Sequence, residues 1–234
     1  TNNVALGDAA LDSTDGSANY NVAIGPSALT TLTTGDDNIA IGFIALQDTT
    51  TGSDNVAVGT GSLGENTEGS SNVAIGRLAM RLNTTASNNT AVGYQAAYNN
   101  TTGTQNTALG RVAMLTNTTG NYNVSVGSVA LYYNTTGSNN VALGTQALNN
   151  NTTASNNTAV GYQAGLSNTT GTGITSLGYA SLNQNTSGSW NTAVGYQASF
   201  LNTTGADNTA MGTAALYPNT TGNYNAAFGS ASLR

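Results

Sequence analysis

The chain has 234 residues, of which ten are acidic and four basic, for a formal net charge of −6. Histidine, cysteine and lysine are absent and only 6% of the residues are charged, against about a quarter in ordinary globular domains. This inventory excludes a disulfide framework, thiol or imidazole catalysis and a lysine Schiff base, and four arginines on an acidic chain disfavour nucleic acid as a partner.

A glycine recurs through the whole sequence, once after 18 residues and then after every 17. These glycines are Gly7, Gly25, Gly42, Gly59, Gly76, Gly93, Gly110, Gly127, Gly144, Gly161, Gly178, Gly195, Gly212 and Gly229. Fourteen copies of one short unit fill the sequence, so we expect one continuous repeat domain over residues 1–234, with no linker. Positions within a unit are counted from this glycine as position 0.

The first predicted strand lies directly before the glycine. Position −1 is always apolar, position −2 is Ala or Ser, and position −3 is Val, Ile or Thr in every copy except Ala226. Such residues favour strands, and alternation places positions −3 and −1 on one face and −4 and −2 on the other. We expect the alanines to face the interior and the aliphatic column to need a cover from outside. The alternative is an aliphatic core with exposed alanines, which would permit a monomer.

Asparagine occupies position −4 in thirteen of the fourteen copies, with Ile174 as the exception. Amide side chains in such a column can bond from coil to coil, so we predict a structural ladder that includes Asn21, Asn38, Asn55, Asn72, Asn89 and Asn106. The glycines at position 0 lack any phosphate-binding fingerprint. They are predicted to be turn residues, among them Gly25, Gly42, Gly59, Gly76, Gly93 and Gly110.

Positions +3 and +4 predict a second short strand after the glycine. Position +3 is Ala or Ser throughout, and position +4 is Leu or Met in most copies, as at Leu29, Met80 and Leu148. A polar turn, typically Asn-Thr-Thr-Gly as at residues 134–137, then leads into the next unit. Nine copies of this turn match the N-glycosylation acceptor, but a periodic turn produces the match automatically, and we expect them to be unmodified.

The turns leave no uninterrupted window of ten residues for a helix, and no stretch approaches the roughly 20 apolar residues of a membrane helix. Seventeen residues allow one coil of two short strands and two turns, and fourteen coils stacked about 4.8 Å apart would span roughly 65 Å. A repeated charge would stack on itself, which explains the low charge. The predicted fold is all-β: a parallel β-solenoid (β-roll) of fourteen 17-residue coils, expected to form a homotrimer.

Aromatic residues share a few positions in the unit and are the candidate binding residues. Tyr94, Tyr162, Tyr179 and Tyr196 stand at position +1, and Trp190 stands at position −5. Rings beside Asn and Gln amides can stack on a sugar face while the amides bond its hydroxyls. The other interpretation is that these rings pack on neighbouring coils and cap the strand ends.

No catalytic, cofactor-binding or metal-binding residue is predicted, and we expect the chain not to be an enzyme. Asp36 and Asp37 are adjacent in sequence, so their carboxylates should point apart. Asp37 and Asp54 share position −5, but the other positions offer no repeated carboxylates to complete a calcium site. A solvated turn is the favoured interpretation of these acids.

Two sequence patterns resemble known repeat families. The core Asn-x-Ala-(Val/Ile/Leu)-Gly, as at residues 21–25 and 72–76, resembles the head repeats of trimeric autotransporter adhesins, which form trimers of left-handed parallel β-rolls on bacterial surfaces. The longer Asn-Thr-Ala-Val-Gly-Tyr-Gln-Ala, at residues 89–96, 157–164 and 191–198, is similar to repeats in tail fibres and related proteins of bacteriophages and environmental bacteria. The 17-residue period departs from the adhesins' usual unit of about fourteen residues.

The resemblance implies a structural and adhesive extracellular fibre segment on a bacterial cell surface or virion: an adhesin head or a tail-fibre shaft. It would supply a stiff rod and a repetitive binding surface. The expected partners are further copies of the chain and a surface glycan or protein receptor, with no nucleic acid and no membrane insertion. Two alternatives are an ice-binding β-solenoid, using the paired threonines of the turns, and a filament subunit joined end to end through open solenoid ends.

Overall fold

The computed structural model describes residues 2–233, which fall into two compact units, unit 1 up to Thr119 and unit 2 from Gly120. All regular secondary structure in this range is β, with one three-residue strand per coil. The strands are β1 (Val4–Leu6), β2 (Val22–Ile24), β3 (Ile39–Ile41), β4 (Val56–Val58), β5 (Val73–Ile75), β6 (Thr90–Val92), β7 (Thr107–Leu109), β8 (Val124–Val126), β9 (Val141–Leu143), β10 (Thr158–Val160), β11 (Thr175–Leu177), β12 (Thr192–Val194), β13 (Thr209–Met211) and β14 (Ala226–Phe228).

The strands pair in chain order and all pairs within each unit are parallel. Val22 of β2 lies opposite Ile39 of β3 in unit 1, and Thr158 of β10 lies opposite Thr175 of β11 in unit 2. The register is 18 residues between β1 and β2 and 17 in the later pairs, so each strand position stacks on its equivalent in the next coil. The predicted all-β parallel solenoid is therefore confirmed, whereas one domain over residues 1–234 stays a prediction.

The prediction of a second strand after the glycine is wrong. Positions +2 and +4 lie in the left-handed region, with φ of 56° at Ser27 and 51° at Leu29, and two such residues within three positions break an extended strand. Backbone hydrogen bonds between coils persist here, from Leu29 N to Ala45 O at 3.1 Å and from Ser27 N to Asp8 O at 2.9 Å. The segment is a turn that is tied to the coils on either side.

The interior is filled by small residues and by the Leu and Met side chains at position +4. From β2 onward, the alanines at positions −2 and +3 are buried. The buried members of position +4 include Leu29, Leu46, Leu63, Met80, Met114, Leu131, Leu148, Leu182 and Leu216. Strand residues at positions −3 and −1 remain half-buried or exposed. The core therefore has the composition expected from the sequence, and the alternative of an aliphatic strand face in the core is wrong.

Position −4 forms a buried amide ladder. Asn38 donates from its backbone N at 2.9 Å and from Nδ2 at 3.1 Å to Oδ1 of Asn21, and its Nδ2 also donates to Gly52 O at 2.9 Å. Its own Oδ1 accepts the equivalent two bonds from Asn55, both at 3.1 Å. Every polar atom of the side chain is thus paired, which removes the cost of burying an amide.

A second buried asparagine ladder lies at position +7, in the turn. Asn83 donates from Nδ2 to Oδ1 of Asn66 at 2.7 Å and to Ala86 O at 3.0 Å. Members of this column are Asn66, Asn83, Asn100, Asn117, Asn134, Asn151, Asn168, Asn185, Asn202 and Asn219, of which all but Asn219 are fully buried. The asparagines of the nine glycosylation-like matches belong to this column, so their amide nitrogens point inward rather than toward solvent.

The glycine at position 0 is required by the close stacking of coils. Gly25 has φ of 127°, and a Cβ added to it would lie 2.8 Å from the carbonyl carbon and oxygen of Gly42. That distance is shorter than a van der Waals contact, and the backbone it meets cannot move aside like a flexible side chain. A side chain at this position would therefore separate the coils.

One coil of unit 2 departs from the repeat at two buried positions at once. Gly165 stands where most other coils have Leu or Met, and Ile174 stands where all other coils have Asn. A Cβ added at Gly165 would meet Leu148 Cδ2 at 3.1 Å and Ile174 Cδ1 at 3.5 Å. Ile174, which is 1% exposed, therefore occupies the space that the missing side chain at position 165 vacates.

Candidate binding surface

Outward side chains at positions −3 and −1 form a regular surface, called here the strand face. In unit 1, strands β6 and β7 have threonine at position −3, whereas strands β2–β5 are aliphatic at both positions, with Val22, Ile24, Ile39, Ile41, Val56, Val58, Val73 and Ile75. In unit 2, strands β10–β13 place threonine at position −3 and Val, Leu or Met at position −1. No charged residue stands at either position in any coil, so the strand face offers contact area without ionic groups.

Three of the predicted binding residues form one stack in unit 2. The ring centroids of Tyr162 and Tyr179 are 5.4 Å apart at an interplanar angle of 19°, and those of Tyr179 and Tyr196 are 5.1 Å apart at 9°. Each side chain is about half exposed. Both faces of the middle ring, and one face of each outer ring, are covered by tyrosine neighbours.

Tyr94 belongs to unit 1 and has a different neighbour. The guanidinium carbon of Arg77 lies 5.8 Å from the centroid of the Tyr94 ring, within the range of a cation–π contact. That contact occupies one face of the ring. The predicted aromatic set is therefore divided, because Tyr94 has an arginine rather than a second tyrosine as its ring partner.

Trp190, the fifth predicted binding residue, stands before its strand, at position −5. Its indole lies on Gly173, one coil earlier in the same column, where an added Cβ would be 2.5 Å from Cε3 and 2.6 Å from Cζ3. Trp190 is still 63% exposed, and Tyr224 in the same column is 82% exposed. Sequence reasoning had not linked Gly173 to Trp190, although their separation of 17 residues places them in one column.

Other aromatic rings pack between coils, as the capping interpretation proposes. Phe200 and Tyr217, at position +5, are stacked with centroids 5.3 Å apart and an interplanar angle of 4°. This pair joins two successive coils, so its rings serve coil stacking. Tyr132 and Tyr133 are adjacent in one coil and meet edge to face at 4.6 Å.

Charged groups are concentrated in unit 1. Arg81 and Glu65 form an ion pair at 3.1 Å. The pKa of Asp15 lies below its ordinary value because the Ser17 hydroxyl, and then the Ser17 backbone N–H, donate hydrogen bonds to its carboxylate. Residues 2–233 hold no group of three or more side chains suited to bind a metal ion and no helix that could span a membrane.

No family model, curated protein or solved structure matches the chain. The function must therefore be argued from the strand face and the aromatic columns themselves.

Proposed function

We propose that the chain is a structural and adhesive fibre segment of a bacterial cell surface or virion, in which copies associate as a homotrimer through the strand face. A solenoid of identical coils suits such a segment, because each coil supplies the same bonds to the next. The observation that carries the proposal is the strand face, in which every coil repeats an apolar residue at position −1 and none has a charge at position −1 or −3.

The core beneath the strand face is complete without that column. Alanine, leucine and the two asparagine ladders fill the interior, so Ile39 and Ile41, each 37% exposed, are not needed to close the coil. Large contiguous apolar patches are uncommon on soluble monomers and mark interaction sites. A second copy fits this patch because its own strand face has the same regular spacing and is equally uncharged.

The adhesive role rests on the repetition of surface residues from coil to coil, in the strand face and at the aromatic positions. Equivalent residues recur at every coil, so a weak contact can be made several times by one fibre, and linked contacts strengthen binding well beyond a single one. No catalytic step is part of the proposal.

Light scattering tests the association, with the chain mass of 23.4 kDa as the unit. We expect three chain masses for the native protein and one for the variant Ile41→Asp/Ile75→Asp, because paired charges on the strand face cannot be buried between copies. Thr51→Asp/Thr85→Asp is the matched control, since it adds the same charges to exposed turns two coils apart. A native protein that stays at one chain mass across the concentration range contradicts the trimer.

The ice-binding alternative relied on the paired threonines of the turns. The first threonine of each pair donates its hydroxyl to the next coil, as Thr84 Oγ1 does to Thr101 O at 3.1 Å, so it is occupied within the chain. The second of each pair, such as Thr85, is exposed, and the first is exposed only at Thr220 in the last pair. Thermal hysteresis in a cooled solution tests this alternative, and electron microscopy of concentrated protein tests the end-to-end filament.

A further inference from the structure

We propose that Trp190, together with Asp207 and Tyr224, forms a binding site for a neutral oligosaccharide. The inference deepens the adhesive half of the proposed function and rests on it. It names one site among the repeated outer columns and the chemical class of its ligand.

The Trp190 ring is held in place by the coil before it. Gly173 has φ of 67°, and its missing side chain leaves the space in which the six-membered part of the indole lies. The backbone N of Trp190 also donates to Thr172 O at 2.9 Å. The indole thus already packs against Gly173 while Trp190 is 63% exposed, and a side chain with a packing partner loses less entropy on binding.

The same column supplies further contacts in the next two coils. Asp207 follows Trp190 by one coil and is exposed, and Tyr224 follows by two coils. Backbone bonds fix both, from Asp207 N to Ser189 O and from Tyr224 N to Ala206 O, each at 3.1 Å. At a coil spacing of about 4.8 Å the two aromatic residues are roughly 10 Å apart, a span that suits an oligosaccharide better than a single sugar.

The chemistry of these groups selects a neutral sugar. An indole face packs on the C–H surface of a pyranose ring, and the Asp207 carboxylate between the two aromatics can accept hydrogen bonds from hydroxyl groups. Residues 120–233 contain no lysine, arginine or histidine, so nothing described in unit 2 would neutralise an acidic ligand. The Tyr162, Tyr179 and Tyr196 stack is less suited to this task, since its rings cover one another.

The chain contains a single tryptophan, so its fluorescence reports directly on the proposed site. The native chain is titrated with cellotetraose, maltotetraose, mannotetraose and chitotetraose, and with heparin as an acidic comparison. We expect a saturable change in Trp190 emission with at least one neutral sugar and none with heparin. The absence of a saturable response to all four neutral sugars, or a response to heparin alone, overturns the inference.

Two variants separate the site from general folding. Gly173→Asn introduces a residue that the same column holds at Asn139 and Asn156, so the coil should still form while the indole is displaced. We expect its affinity to fall about tenfold, by calorimetry and fluorescence. Tyr122→Ala, which removes an equally exposed ring from the same column, should bind as the native chain does. Unchanged affinity in Gly173→Asn, or an equal loss in Tyr122→Ala, contradicts the proposed site.

Light scattering on the same samples distinguishes this inference from the fibre proposal. Three chain masses without a response to sugar overturn the Trp190 site alone. One chain mass with a saturable response overturns the trimer and leaves the site supported.

Discussion

The two units of the chain share one coil but differ in their surfaces. Unit 1 contains nine acidic residues and three arginines, a net charge of 3 − 9 = −6, whereas unit 2 contains one acidic residue, Asp207, and one arginine, Arg234, a net charge of 1 − 1 = 0. Position −3 of the strand face also varies, with Val or Ile in β2–β5, β8 and β9 and Thr in β6, β7 and β10–β13, so both kinds of residue occur in each unit. The common coil survives both changes, so the outer columns do not determine the fold.

The interiors differ in only a few places, and these show what the fold does require. In unit 1 position −4 is asparagine in every coil, while unit 2 replaces it once with Ile174 and in the same coil places Gly165 at position +4. The two changes adjoin each other in space. A buried column can therefore be altered when a neighbouring column compensates for the volume.

Replacing one asparagine of the position −4 ladder in unit 1 by isoleucine, the residue that unit 2 has at Ile174, should lower the free energy of unfolding more than any other change. Asn55→Ile removes the acceptor of Asn72 N and Nδ2 and the donor to Gly69 O, without a compensating glycine. We expect the free energy of unfolding to fall by roughly 4 kcal/mol, since each unpaired buried group costs about 1–3 kcal/mol. Urea denaturation measures the loss.

The control for this change is Thr85→Ile, which adds the same side chain at an exposed turn position. It should alter the free energy of unfolding by no more than about 0.5 kcal/mol. If Asn55→Ile unfolded at the urea concentration of the native chain, the asparagine ladder would not be the main tie between coils.

Restoring the usual residues at Ile174 and Gly165 in unit 2 should reveal an energetic coupling between these two positions, with an effect of intermediate size. Ile174→Asn restores the ladder but leaves a void beside Gly165, whereas Gly165→Leu alone would crowd Leu148 and Ile174. We expect both single variants to be destabilised and the double variant to recover, with a coupling energy of about 1–3 kcal/mol. Additive effects in the double-mutant cycle would show that the two positions are independent.

Removing the Ser199 hydroxyl in unit 2 should give the smallest change in the free energy of unfolding, and this change should be an increase. Ser199 stands in the leucine column at 1% exposure, and its Oγ has no hydrogen-bond partner among residues 2–233. We expect Ser199→Ala to raise the free energy of unfolding by about 1 kcal/mol, because a buried unpaired hydroxyl is removed.

Ser125→Ala is the matched comparison for that gain. The Oγ of Ser125 is also buried but donates to Ala130 O at 2.9 Å, so its removal should lower the free energy of unfolding by about 1 kcal/mol. Thermal melts of the two variants should shift in opposite directions. A loss of stability in both would mean that the Ser199 hydroxyl has a stabilising role.

Much of the coil could be predicted from the sequence because a 17-residue period stacks like residues on like. Alternation alone placed alanine inside and the larger aliphatics outside, as the burial pattern of β2 shows. The second strand was wrong because Leu and Met rarely adopt positive φ, and nothing at position +4 in the sequence signals that they do so here. Their burial offsets the backbone strain, which only the folded coil reveals.

The asparagine at position +7 was missed for a different reason. Asparagine is common in turns, so its place in Asn-Thr-Thr-Gly looked like ordinary turn chemistry. The available signal was its constancy from Asn66 to Asn219, which it shares with the threonine that follows it from Thr67 to Thr220. Gly173 and Trp190 could likewise have been paired by comparing residues 17 apart, but only coordinates show that the indole lies on the glycine.

The coil-to-coil bonding of Asn21, Asn38 and Asn55 also constrains how such a gene can change length. Duplication or loss of a 51-nucleotide block, about one coil, joins two coils that already match, so the new junction has the same bonds as the old one. Insertion of one codon instead puts the coil that contains it out of register with its neighbour, unless a turn accommodates the extra residue, as in the 18-residue spacing between Gly7 and Gly25. Recombination between repeats would therefore produce shorter and longer functional forms more readily than small insertions would.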